Sequence, residues 1–183
     1  MSDHQFRNDL IGFIPPLRAF AISLTGKVDR ADDLVQETLL KAWANRESFE
    51  PGTKLKAWLF TILRNEFYTV FRKRKREVED ADGIIAANVG VHPEQDGHMD
   101  LTDMQQALGQ LPVDQREALL LVSASDMSYE EAAVICGVAV GTIKSRVNRA
   151  RARLGELLHL NEASEFGPEP EVKAALMPKT GHG

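Results

Sequence analysis

Residues 128–154, SYEEAAVICGVAVGTIKSRVNRARARL, divide core from surface more cleanly than any other part of the chain. Ser128 followed by Glu131 has the form of a capping box, in which each side chain satisfies a backbone donor at the start of a helix. Ala132, Ala133, Val134, Ile135 and Cys136 then lead to Gly137. A glycine there can take the positive φ that ends a helix, and the alanines allow close packing of a second one.

That second helix is expected from Val140. At about 100° per residue, Val140, Ile143, Val147, Ala150 and Leu154 share one face, and Thr142, Ser145, Arg146, Arg149 and Arg153 share another roughly 120° away. Lys144 and Arg151 complete five basic side chains between Val140 and Leu154, with no acidic one among them. A solvated helix ordinarily mixes signs for i,i+4 pairing. The pattern is that of a helix-turn-helix whose second helix lies in the DNA major groove, early residues on base edges and arginines on guanine or phosphate. The alternative is a basic, solvated helix hairpin.

The formal net charge of the 183 residues is −5, which argues against a generally basic nucleic-acid binder and makes the distribution decisive. Residues 1–75 hold 13 basic and 9 acidic side chains, whereas residues 76–100 hold one basic and seven acidic. The single cysteine, Cys136, excludes an internal disulfide and fits a reducing compartment. The longest unbroken apolar runs, such as Ala118–Val122, are far too short for a membrane span, and the first residues lack a signal peptide's pattern. A cytoplasmic protein with no membrane association is expected.

Upstream, residues 5–25 read as a helical hairpin or kinked helix, because Pro15 and Pro16 interrupt the hydrogen-bond ladder. Phe6, Leu10, Phe13, Ile14, Leu17, Phe20 and Leu24 are its core candidates. In residues 29–43, Ala31, Leu34, Val35, Thr38 and Ala42 form a core stripe, and Asp33, Gln36, Glu37 and Leu40 lie opposite. That second face is either ordinary solvated surface or a docking site with an apolar anchor ringed by polar groups. After the loop Ser48–Lys54, a long helix places Leu55, Leu59, Ile62, Leu63 and Val70 toward a core. It also carries Trp58, Phe60, Phe67, Tyr68 and Phe71 and ends in the basic run Arg72–Arg76. Rings interleaved with cations suit single-stranded DNA, although most of these rings are individually core candidates.

Residues 77–99 lack a sustained period and read as an acidic linker, flexible or only partly helical. Asp100 can cap a helix bearing Leu101, Met104, Leu108 and Leu111, and Pro112 can open the next, with Ala118–Val122 buried. Residues 161–183 have the composition of a disordered tail. The fold expected is all-α: two small helical domains, 1–76 and 100–160, joined by a flexible acidic linker, the C-terminal one containing the helix-turn-helix. No catalytic residues, metal ligands or cofactors emerge, since no nucleophile-base pair, phosphate loop or ligand cluster is present in the sequence.

DDLVQETLLKAW, the Phe-Glu-Pro-Gly loop with KAWLFTILRN, LPVDQREALLLV and the opening stretch together resemble the extracytoplasmic-function (ECF) bacterial sigma factors, specifically the EcfG-type general-stress group. The resemblance spans about residues 5–158. It implies a region-2 domain in 1–76 and a region-4 domain in 100–160. Asp33, Gln36, Glu37 and Leu40 would dock on the clamp coiled coil of the large subunit of core RNA polymerase. Phe49, Lys54, Trp58, Asn65, Tyr68 and Thr69 would melt and capture the minus-ten element of promoter DNA, with Arg72 and Arg74 on phosphates. Thr142, Lys144, Ser145, Arg146, Arg149 and Arg153 would lie at the minus-thirty-five element. Ala139 departs from the Ser or Pro common at that position, which implies a weaker cap on the recognition helix. The resemblance also implies a NepR-like anti-sigma factor. A sigma-like decoy that sequesters an anti-sigma factor without binding promoters is the alternative function, and a stand-alone repressor using only the C-terminal helices is a third.

Overall fold

The computed structural model describes residues 2–50, 52–82 and 101–159. The described residues form seven α-helices: α1 (Asp3–Thr25), α2 (Val28–Ala44), α3 (Leu55–Asp82), α4 (Leu101–Gln110), α5 (Val113–Leu119), α6 (Tyr129–Cys136) and α7 (Val140–Leu157). A 3-10 turn, Arg46–Ser48, follows α2, and a π-helical turn, Leu120–Ala124, continues α5.

α1 is one continuous helix with Pro15 and Pro16 inside it, not a hairpin. A proline within a helix removes a donor and frees the carbonyl four residues earlier. Those carbonyls belong to Ile11 and Gly12, both exposed, where water can bond them. The opposite side of α1 buries Phe6, Leu10, Leu17, Phe20 and Leu24, so packing holds the helix across the weak point; Phe13 and Ile14 are only partly covered. Gly26 at φ 70° ends α1, and α2 turns back along it. The expected stripe of α2 is buried at every position, and Thr38 Oγ1 within it donates to the Leu34 carbonyl at 2.7 Å. α3 closes the first half with Leu59, Phe60, Leu63 and Phe67 inward.

α3 departs from expectation in two ways. It runs to Asp82, into the stretch read as linker, and Val70 is 45 % exposed instead of core-facing. Phe67 takes the inward position of that turn and stacks on Phe71 at 5.7 Å between ring centroids, leaving Val70 outside. The linker reading of residues 83–99, the Asp100 cap, the Leu101 side chain and the tail from residue 161 lie outside the described residues.

In the second half, Met104, Leu108 and Leu111 of α4 and the loop after it, Ala118–Leu121, and the stripe Ile143, Val147, Ala150, Leu154 of α7 make the core. α5 and α6 both pack on α7. The Ser128–Glu131 capping box forms as read, with both reciprocal bonds present, and Gly137 stands at φ 66°. The two halves are in direct contact: α3 packs on α6, and α1 packs on α4, α5 and the π-helical turn. Sequence patterning had assigned each half its own core and said nothing of this seam.

Candidate nucleic-acid interface

α7, the helix expected to lie in the major groove, starts at Val140 with Ala139 as its N-cap, which makes no side-chain cap bond. Thr142, Arg149 and Arg153 are exposed, set apart from the buried stripe, and Lys144 is exposed on the other flank. Ser145 and Arg146 are half-buried at the edge of the face. Arg146 Nε is held 3.3 Å from Asp114 Oδ2, so it is partly committed within the domain. Lys144 lies 5.9 Å from the ring centroid of Tyr129, and Arg153 pairs along its own helix with Glu156 at 2.8 Å. Arg149 is exposed on the same face, available to a duplex laid along it.

The face expected to meet separated strands is built differently. Phe49 and Trp58 stand 5.3 Å apart between ring centroids and both lean on the buried Phe6, so these two rings are half-covered supports for the loop. Lys54 is exposed, as are Asn65, Thr69, Arg72 and Arg74 on α3. Arg64, Asn65, Tyr68, Thr69 and Arg72 line one groove of about 310 Å³. Tyr68 is half-buried and donates its hydroxyl to Glu117 Oε2 at 3.0 Å, across the seam.

Glu117 is the residue that sequence reasoning missed. It is fully buried, and Arg64 Nε stands 2.5 Å from its Oε1. The angle is poor for a hydrogen bond, so the Arg64 contact is chiefly coulombic. Burial pushes the Glu117 carboxyl above the usual carboxylate range, and the Arg64 and Tyr68 contacts offset only part of that. Burial also works against the Arg64 charge, yet the neighbouring carboxylate raises its pKa overall. Burial followed by the Glu117 charge raises Tyr68, and burial lifts the Cys136 thiol to about 12. The signal for Glu117 was a lone carboxylate abutting the apolar run Ala118–Val122, a position that demands a cation from elsewhere.

Two further contacts tie the halves. Lys56 Nζ donates to the Ser125 carbonyl, and Lys54 Nζ lies 2.7 Å from Glu131 Oε1. In the other direction Arg116 donates to the Leu24 carbonyl at 2.9 Å, while its second nitrogen closes the α4–α5 corner on Gly109 and Leu111 carbonyls.

On α2, Asp33, Gln36, Glu37 and Leu40 are all exposed, Leu40 at 59 %, and Lys41 bridges Glu37 at 3.9 Å and Glu66 of α3 at 2.5 Å. The expected acidic face with an apolar centre is therefore present and uncovered.

Residues 12–77 match Sigma-70 region 2, and residues 101–154 match Sigma-70, region 4. The ECF RNA polymerase sigma factor EcfG of Rhodopseudomonas palustris (strain TIE-1) is 59% identical over 170 residues, 93% of this chain and 94% of that one. The chain belongs to the ECF sigma factors. Among solved structures, the sigma factor RpoE in complex with the anti-sigma factor NepR from Bartonella quintana superposes with a TM-score of 0.77 at 59% identity, covering 86% of this sigma factor and 99% of that chain. CnrH, in complex with the cytosolic domain of CnrY, superposes with a TM-score of 0.66 at 27% identity, covering 88% and 92% respectively. Sigma factors bind core RNA polymerase and promoter DNA. No described helix is long and apolar enough to cross a membrane.

Proposed function

We propose that this ECF sigma factor directs core polymerase to stress-response promoters from the cytoplasm, with region 2 in residues 1–76 and region 4 in residues 100–160. The observation that carries the reading is the exposed row Thr142, Arg149 and Arg153 on α7, set apart from a fully buried stripe and following a left-handed glycine turn, with Lys144 exposed on the other flank. A helix anchored on one side and cationic on the other presents base-reading and phosphate-binding groups in a fixed frame.

In this reading, Ser145 and Arg146 flank that row at the minus-thirty-five element. Phe49, Lys54, Trp58, Asn65, Tyr68 and Thr69 serve the minus-ten element, and Arg72 and Arg74 hold its phosphates. Asp33, Gln36, Glu37 and Leu40 meet the clamp coiled coil of the large polymerase subunit, where an exposed leucine among acids suits a basic helix. The polymerase supplies the chemistry. The solved neighbour carrying NepR supports a NepR-like anti-sigma factor as the regulatory partner. A decoy that only sequesters an anti-sigma factor has no use for the α7 row, so it is the weaker reading.

Run-off transcription with purified core polymerase tests the proposal. A transcript that depends on this chain is expected, and its absence on every promoter offered, with tight binding to a NepR-like protein, would select the decoy.

A further inference from the structure

Among the described residues, four side chains of the first half reach across the seam to an oxygen of the second: Lys56 and Tyr68 donate to the Ser125 carbonyl and to Glu117 Oε2, while Lys54 and Arg64 form ion pairs with Glu131 and with Glu117 Oε1. Lys56, Arg64 and Tyr68 belong to one i+4 series on α3, which continues to Arg72. The groove along this series is lined by Arg64, Asn65, Tyr68, Thr69 and Arg72. Four of those five are the residues assigned above to the minus-ten element. Arg64 is the fifth, and its guanidinium also lies over the Tyr68 ring at 4.6 Å.

A carboxylate and a phosphodiester present the same thing to a guanidinium, a pair of anionic oxygens in one plane. We infer that Arg64 is a further promoter contact, made to a phosphate of the separated strand, and that Glu117 occupies the place of that phosphate while the two halves are closed. The inference rests on the proposed function and adds to it an exclusion rule: region 4 and the minus-ten strand compete for one cationic groove. The Arg64 side chain is 20% exposed and that of Glu117 is 0%, so a phosphate reaches Arg64 only after α5 has moved away.

The closed form is also built to be left. Two charges removed from water recover little more than their desolvation cost when paired, so the pair sets register without making the seam strong. The elevated pKa of the Glu117 carboxyl has that cause, burial exceeding pairing. Exchange of one anionic partner for another then needs no large driving force.

The full chain and a fluorescein-labelled single-stranded oligodeoxynucleotide of mixed sequence, about 12 nucleotides long, provide the test. Cys136 is the only cysteine, is 5% exposed, and interacts electrostatically with both Glu117 and Arg64, so its reaction with a thiol reagent reports opening without any substitution. Saturating oligonucleotide is expected to raise that rate by about tenfold or more. Bound oligonucleotide with unchanged thiol protection would overturn the exclusion. Glu117→Leu is expected to tighten oligonucleotide binding about fivefold or more, because it takes from Arg64 and Tyr68 both of the oxygens that hold them in the closed seam. Arg64→Ala in that background is expected to cancel the gain and to reduce the salt dependence by about 0.7 in log–log slope, one single-strand phosphate. No tightening with Glu117→Leu, no binding by either chain, or a gain that survives loss of Arg64 would each sink the assignment. Run-off transcription by the unsubstituted chain separates the two layers: a transcript alongside a failed cycle removes Arg64 and Glu117 from the account and leaves the sigma-factor reading standing.

Discussion

Lys54 Nζ lies 2.7 Å from Oε1 of Glu131, whose other oxygen accepts the Ser128 backbone N–H at 2.8 Å. One carboxylate thus caps α6 within the second half and fastens the loop before α3 to it. The two roles separate by substitution. Glu131→Gln keeps a capping-box acceptor and loses the charge facing Lys54, whereas Glu131→Ala loses both, at a cost of about 1 kcal/mol from the cap. The Lys54 contact, then the Ser128 backbone bond, hold the Glu131 carboxyl below its usual range. A depressed folded-state pKa contributes stability that is present above the ordinary carboxylate value, about 4.3, and lost as pH falls through the folded value. Urea melts of wild type and Glu131→Gln should therefore differ at neutral pH and converge in acid. A gap that widens in acid would contradict the sign.

Glu117 carries the opposite sign, since burial raises its pKa and the folded, closed chain holds the proton more tightly. The stabilisation that follows is complete below the ordinary carboxylate range and disappears as pH rises through the elevated folded value. Arg64 and Tyr68 on α3, Cys136 on α6 and Arg146 on α7 are the charged and titratable groups that face it. Acid should thus favour the closed form, seen by small-angle scattering as a smaller radius of gyration, and the trend should vanish in Glu117→Gln.

The same pair predicts non-additivity. Glu117→Leu alone strands a buried guanidinium and should cost about 3–5 kcal/mol, while Arg64→Met with Glu117→Leu should match or exceed wild type by about 1–4 kcal/mol. Denaturant midpoints for the four chains of the cycle measure this. Simple addition of the single effects would show that the pair is not the unit.

Gly137 stands at φ 66°, and a Cβ there would meet nothing within 4 Å. Gly137→Ala should consequently lose only about 1–2 kcal/mol, all of it backbone strain, with no packing cost. Because this turn aims α7, promoter binding should fall by more than the stability change accounts for, read by anisotropy on folded protein.

Arg149 is exposed on the α7 face proposed to meet promoter DNA. Arg149→Ala should weaken promoter duplex binding by about 1–3 kcal/mol if it reads a base, with little effect on a scrambled duplex. Equal loss on both duplexes would make it a phosphate contact.

Asp33 is likewise exposed, on the α2 face that Leu40 centres. Asp33→Arg should leave the melting temperature unchanged and prevent co-purification with core polymerase. Normal recovery of polymerase would remove α2 from the docking site.

Much of the candidate interface was legible because each half was patterned against its own interior. The stripe Ile143, Val147, Ala150, Leu154 forces Thr142, Arg149 and Arg153 outward, and the buried stripe of α2 forces Asp33, Gln36, Glu37 and Leu40 outward, whatever else the chain does. Local chemistry was equally readable at Ser128, Glu131 and Gly137, where cap and turn depend on neighbours three to nine residues apart. Pro15 and Pro16 misled because a local rule about helix breaking yields to burial of Phe6, Leu10, Leu17 and Phe20 along the same helix.

The amino-acid sequence by itself thus determined seven helical segments' worth of pattern, the cationic face of α7 and the acidic face of α2, since periodicity and caps act over a few residues. Only the tertiary structure decided that Arg64, Tyr68 and Glu117 form one buried group. They lie 49 to 53 residues apart in the chain on opposite halves. No local energy term senses a carboxylate at that distance; its partner exists only once the two cores have docked and excluded water between them.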